Sequence, residues 1–351
     1  MRPTHGGDWA GYEMEYGTLP LDFSANTSPL GLPLGVKAAV IDSLEYTDRY
    51  PDPRCRKLTA KLAEYYEVPP ESVLCGNGAA DLIDRLALAL RPRQALVTAP
   101  TFGEYTVALE RVGCEVRKFP LQQENRFQLT ENFLDWITPE TDVVFLCEPN
   151  NPTGITTPRP LLKRVLERCR AMNALLVVDE CFGDFLDYPE EHTMVPMLEE
   201  HLLILKAFTK FYAMAGLRLG YCLSGNHALL DAMIQAGQPW SVSTPAQAAG
   251  VAALEEDDYA RQLRELIQTQ RPRLAEQLTA LGCSVVPGEA NYLLFFCPVP
   301  ELETKLRQRG ILIRNCANYI GLCPGWYRVA VRTQSENQRL VAALEEVICN
   351  G

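Results

Sequence analysis

Apolar and polar positions along the chain fall into two regimes. Between Gln94 and Leu223 short apolar runs recur, at Gln94–Ala99, Asp142–Cys147, Ala174–Val178, Leu202–Ala207 and Leu219–Leu223, and each reads as a strand. Amphipathic stretches such as Leu161–Met172 lie between several of them and carry apolar residues at helical spacing. Strand runs rich in β-branched residues that alternate with helices predict a mostly parallel sheet covered by helices on both faces, an α/β fold. After about Ala232 the rhythm changes. A long helical pattern over Pro245–Leu281 leads into Asn291–Cys297, Ile311–Arg314 and Tyr327–Arg332, which read as strands of a smaller α+β unit. The first thirty or so residues are polar and irregular and are expected to wrap onto that unit or the active site. The predicted division is a large domain over 35–245 and a small domain over 1–34 and 246–351, the first part forming an N-terminal arm.

The bulk numbers narrow the class. The chain has 351 residues, 47% hydrophobic and 22% charged, an ordinary globular balance large enough for two cores. No apolar run approaches the ~20 residues that span a bilayer, and the polar N-terminal stretch lacks the apolar core of a signal peptide. The cytoplasm is therefore the expected location, and a membrane partner is not expected. Twelve cysteines are scattered without a C-x-x-C pair, so no metal site is expected. Cys147 and Cys222 sit inside apolar runs and read as small buried hydrophobes. The formal net charge of −11 argues against nucleic-acid binding. An anionic ligand would have to be met by local arginines.

Four segments carry candidate chemistry. In Thr209-Lys210-Phe211-Tyr212 a lysine follows a strand, and Arg218 precedes the next one. A lysine at a strand end can present an amine to a carbonyl, and Thr209 and Arg218 can donate to a phosphate. Alone, Lys210 would pass for a surface lysine. Cys75-Gly76-Asn77-Gly78-Ala79-Ala80-Asp81 stands directly before the helical run Leu82–Leu90. Glycines there let backbone N–H groups approach an anion at a helix start. Glu148-Pro149-Asn150-Asn151-Pro152-Thr153-Gly154 makes a turn after Asp142–Cys147, at a strand end where α/β ligands bind. Asp179 closes the run Ala174–Val178, where it can act as a helix cap or pair with a protonated ring nitrogen.

In this order and at these separations the segments resemble the fold-type I pyridoxal-phosphate enzymes of the class I/II aminotransferase group, over almost the whole chain. The resemblance implies pyridoxal 5'-phosphate as cofactor and Lys210 as the amine that bonds to its aldehyde. It implies Asp179 on the pyridine nitrogen, Asn151 on the ring oxygen and Tyr105 stacked on the ring. Gly78, Ala79, Thr209 and Arg218 would surround the phosphate. It further implies a homodimer in which Arg49-Tyr50-Pro51-Asp52 brings Tyr50 to the partner's site.

Within the group, three features resemble the threonine-phosphate decarboxylases of cobalamin synthesis more than the histidinol-phosphate aminotransferases. The first is His5-Gly6-Gly7 followed by Asp22-Phe23-Ser24-Ala25-Asn26. The second is Arg314-Asn315-Cys316-Ala317-Asn318-Tyr319 followed by Tyr327–Arg332. The third is Phe182, three residues after Asp179, where the aminotransferases typically carry a tyrosine; Phe182 offers no hydroxyl. This implies loss of carbon dioxide from L-threonine O-3-phosphate, with Arg328 on the carboxylate, near Asn151. Arg314, His5, Gly6 and Asn26 would lie around the phosphorylated end. L-serine O-phosphate, one methyl smaller, and amino transfer from histidinol phosphate stay as alternatives. Arg332 reads equally as a solvated strand residue or a further anion contact. Ala207, Lys206 and Ala79-Ala80 depart from the residues common in the group and leave the phosphate contacts open.

Overall fold

The computed structural model describes residues 5–349, so the first four residues of the polar N-terminal stretch lie outside it. Strands β1 to β13 follow in chain order at Leu21–Asp22, Val73–Gly76, Gln94–Ala99, Glu115–Pro120, Val143–Cys147, Leu175–Asp179, Leu202–Ala207, Gly220–Ser224, Ser284–Val285, Tyr292–Phe296, Ile311–Leu312, Arg314–Asn315 and Trp326–Ala330. Seven of them form the large sheet in the order β2-β8-β7-β6-β5-β3-β4. From β4 to β7 every pairing is parallel, and β8 runs antiparallel to both β7 and β2. The apolar runs read as strands all lie in this sheet. Residues of the central strands β5, β6 and β7 are buried throughout, as expected where helices cover both faces.

Two edge strands had no reading in the sequence. β4, with Glu115, Arg117 and Lys118, is charged and half-exposed, the usual dress of an edge. β2 is only four residues long and runs straight into the glycine turn. The helical region predicted over Pro245–Leu281 is two helices, Thr244–Ala253 and Asp257–Ala280. The first belongs with the large domain: Ala246, Ala249 and Ala253 share its core with Val36 and Leu58. A Cβ on Gly250 would meet Leu219 and Leu58 side chains within 3.0 Å, so that helix lies close on the large domain. The boundary expected at 245/246 therefore moves to the break before Asp257.

The small domain is built on the antiparallel sheet β12-β13-β10-β9. Leu263, Ile267, Leu274 and Leu278 of the long helix, Leu293 and Phe295 of β10, and Leu340 and Leu344 of the C-terminal helix Gln334–Cys349 make its core. The predicted strand Ile311–Arg314 is split. β11 pairs in parallel with β1 of the N-terminal arm, whereas β12 joins the four-stranded sheet. The arm thus wraps onto the small domain: Phe23 is fully buried in that core, and Arg332 reaches back to the Asp22 carbonyl at 3.2 Å and to Glu336 at 2.7 Å. These contacts make Arg332 a tie between arm and C-terminal helix.

Candidate active site

The parallel strands β3, β5, β6 and β7 end on one edge of the sheet. Because β8 is antiparallel to both its neighbours, β2 also ends there, and β8 begins there. Chain reversals at that edge collect the residues that follow each strand. They line a cavity of about 410 Å³ closed on its other side by the arm and the small domain. Ala79, Asn151, Asp179, Thr209, Lys210 and Arg218 come from the large domain. His5, Gly6 and Asn26 come from the arm, and Arg314 and Arg328 from the small sheet.

Lys210 sits in the single helical turn Phe208–Phe211 that leaves β7. Burial pushes its amine down to about 8; the Arg328 charge and, less strongly, that of Arg218 add to this, while Cys181 and Asp22 oppose it. Asp179 is buried at the end of β6. Its Oδ2 accepts the Tyr105 hydroxyl at 2.5 Å and its Oδ1 the Cys181 amide at 3.0 Å. Burial and the Asp179 charge hold the Tyr105 phenol well above its ordinary range, so Tyr105 is the donor.

This geometry corrects the role read for Tyr105. Its ring is fully buried behind the cavity wall, stacked on Phe145 at 5.0 Å, and does not line the cavity. The aromatic ring that does so from the same turn is Phe102, edge-on to Tyr105 at 5.5 Å. Phe102 follows β3 as Asn151 follows β5, and that position was the available signal.

A cradle for an anion forms where β2 turns into the helix Ala79–Leu90. Gly78, at φ +84°, is the residue before the first helical turn, and no side chain caps that turn. A Cβ on Gly78 would meet Arg218 Nη2 at 2.7 Å, and one on Gly220 would meet the Ala79 nitrogen at 2.6 Å. Thr209 is buried beside them and Arg218 is exposed. Ala79 and Ala80 line the cavity through small side chains, so backbone N–H groups are what the helix offers there. Of the remaining departures, Ala207 lines the cavity, and Lys206 is turned away from it and buried against Glu180 and Asp184 at 3.3 and 3.1 Å.

Arg314 and Arg328 are opposed residues of the antiparallel pair β12–β13, so their side chains leave the same face of the small sheet. Both are buried. Arg328 donates to the Asn151 Oδ1 and to the Ser24 carbonyl, the latter at 3.0 Å. Arg314 donates to the Asn318 Oδ1 at 2.8 Å. Asn26 is buried in the cavity wall, and neither its Oδ1 nor its Nδ2 finds a partner among the described residues. His5 pairs with Glu104 at 2.8 Å across the cavity mouth. Tyr50 stands apart, 79% exposed and stacked on Trp240 at 4.6 Å, and does not line its own chain's cavity. Cys181, Ser24, Glu104 and Tyr319 also line the cavity; Ser24 and Tyr319 lie in segments singled out in the sequence, whereas Cys181 and Glu104 had no reading there.

A two-domain α/β fold with a recessed lysine, a buried carboxylate and an uncapped helix start at one sheet edge defines a class. The chain belongs to the aminotransferase class I and II family, whose profile matches residues 20–344. It is 41% identical to the threonine-phosphate decarboxylase of Salmonella typhimurium, over 98% of this chain and 96% of that one. It is 29% identical to the adenosylcobalamin biosynthesis bifunctional protein of Leptospira interrogans, over 98% of this chain and 41% of that one. Among solved structures, the histidinol-phosphate aminotransferase of Clostridium acetobutylicum superposes with a TM-score of 0.88 at 26% identity, covering 94% of this chain and 99% of that one.

Proposed function

We propose that the protein is a pyridoxal 5'-phosphate enzyme that removes carbon dioxide from L-threonine O-3-phosphate, giving (R)-1-amino-2-propanol O-2-phosphate for cobalamin biosynthesis. The observation that carries this reading is the opposed pair Arg314–Arg328 facing the cavity of Lys210. A substrate with a phosphate at one end and a carboxylate at the other needs two anion holders near the reacting amine. The similarity to the Salmonella decarboxylase supports the same substrate class.

The residues present fit the cofactor. The cradle that a Cβ on Gly78 would fill, with Thr209 and Arg218, suits its phosphate. Asp179 suits a protonated ring nitrogen, Phe102 a ring face, and Asn151 the ring oxygen. When bound, the cofactor supplies an aldehyde for the amine and an electron-poor ring that takes up the electron pair released at the substrate α-carbon.

The chain does the rest. Arg328, held by Asn151 and the Ser24 carbonyl, fixes the carboxylate and so selects the bond that breaks. Arg314, with Asn26, Gly6 and His5 around it, holds the phosphorylated end. The Lys210 amine, lowered to about 8, still holds its proton for the most part near neutral pH but gives it up more readily than an ordinary lysine, so it can return a proton to the α-carbon after carbon dioxide leaves. Phe182, edge-on to Tyr292 at 5.0 Å, presents no hydroxyl to the cavity where the aminotransferases carry a tyrosine. The enzyme works in the cytoplasm as a homodimer, Tyr50 of each subunit completing the other's site; the exposed Tyr50–Trp240 stack outside its own cavity supports this.

Product analysis tests the reading. The purified enzyme is expected to release carbon dioxide from phosphothreonine faster than from phosphoserine. Little turnover of histidinol phosphate with 2-oxoglutarate is expected. Lys210→Ala should abolish carbon dioxide release and the yellow colour that borohydride bleaches. Faster turnover of histidinol phosphate than of phosphothreonine would replace decarboxylation by amino transfer.

A further inference from the structure

Arg314 does not reach the cavity alone. The chain turns back directly after β12: the Tyr319 amide donates to the Cys316 carbonyl and the Leu322 amide to the Tyr319 carbonyl, each at 3.0 Å. The turn is pinned at its far side. Gly321, at φ +91°, lies so close to the Ala99 carbonyl and Pro100 that a Cβ there would stand 3.4 Å from each. Ala99 ends β3 and Pro100 opens the turn that presents Phe102, so the small-domain loop is held against the large domain beside the cavity. Tyr319 lines that cavity. The Arg314 guanidinium carbon lies 5.5 Å from the centre of its ring, so the phenol stands beside the guanidinium at the cavity wall. Burial outweighs the two arginine charges and raises the phenol's proton affinity, so it stays a donor at neutral pH.

We propose that Tyr319 is a specificity-determining residue, whose hydroxyl donates to the phosphate held by Arg314 and so favours the phosphorylated over the free amino acid. The proposal rests on the substrate class proposed above. Free threonine brings no anion within reach of the phenol, so the hydrogen bond from Tyr319 would be made to the phosphorylated substrate alone and would count toward its selection.

Steady-state kinetics of wild type and Tyr319→Phe, on phosphothreonine and on threonine, make the test, with inorganic phosphate as a competitive inhibitor. The phenylalanine keeps the ring under Arg314 and removes one oxygen. The expected result is a KM for phosphothreonine and an inhibition constant for phosphate each raised about 10-fold or more, the loss of one charge-assisted hydrogen bond. The kcat should stay within about twofold and kcat/KM for threonine should not change. An unchanged KM and inhibition constant would overturn the proposal, and so would an equal loss on both substrates, which marks a structural role. A wild type inactive on phosphothreonine would instead overturn the substrate reading on which the proposal stands.

Discussion

Both oxygens of Asp179 accept from neutral donors, the Tyr105 hydroxyl at 2.5 Å and the Cys181 amide at 3.0 Å. These bonds aim the carboxylate into the cavity while Tyr105 itself stays outside, so Tyr105 is a positioning residue. Tyr105→Phe should lower kcat by about 10-fold, in proportion to one hydrogen bond to a charged group, and leave the KM for substrate nearly unchanged. The same variant should shift the absorbance band of the bound cofactor, a readout that simple loss of packing would not move. An equal rise in KM, or wild-type kcat, would show that Asp179 is held without it. Lys210, Asp179 and Asn151 were legible because each stands at the end of an apolar run, and strand ends in a parallel sheet share one edge. Phe102 and Tyr105 were not separable in the same way. Both follow β3 within six residues, and only the path of the turn decides which ring meets the cavity and which packs on Phe145.

At the scale of elements, the turn from β2 into the helix Ala79–Leu90 depends on Gly78. Its φ of +84° is one that L side chains rarely adopt, and Arg218 fills the space a Cβ would need. Gly78→Ala should therefore cost on the order of 1–3 kcal/mol of local strain and weaken cofactor affinity by about 10-fold or more, since the helix N–H groups and Arg218 would move apart. Equilibrium titration of the apoprotein with cofactor checks this; unaltered affinity would mean that the turn does not hold the phosphate. The glycine turn could be read from the sequence, but not the four-residue strand before it. β2 is too short to show periodicity, and its pairing with β8 depends on residues some 145 positions away. The splitting of Ile311–Arg314 between two sheets has the same cause. β1 competes for Ile311 and Leu312, while β13 takes Arg314 and Asn315.

Across the whole molecule, the cavity exists only because three separate parts of the chain close on it: the sheet edge, the arm and the small domain. The helix Thr244–Ala253 packs with the large domain although its pattern runs on toward the small one, so the boundary lies where that pattern breaks, before Asp257. The proposed homodimer with shared sites makes a sharp prediction. Tyr50→Ala and Lys210→Ala should each be nearly inactive. Unfolded together and refolded at equal amounts, they should recover about a quarter of wild-type activity, because half of the dimers are mixed and each of those carries one native site. Recovery near zero, with dimers present by sedimentation, would show that Tyr50 acts within its own subunit or not at all.

What the sequence determined by itself is the set of elements whose signal is local. Buried strands in a parallel sheet are apolar throughout, a glycine pair marks a turn of positive φ, and a lysine or aspartate at a strand end is displayed in chain order. What only the tertiary structure decided depends on contacts between distant segments. Such contacts set Phe102 rather than Tyr105 against the cavity, put Arg314 opposite Arg328 on one face of a sheet, and laid Tyr319 beside Arg314 through a loop braced on Pro100. The loop carrying Tyr319 is braced on Pro100 from the far side of the chain, Arg328 meets Asn151 across 177 residues, and local pattern carries no record of such distances.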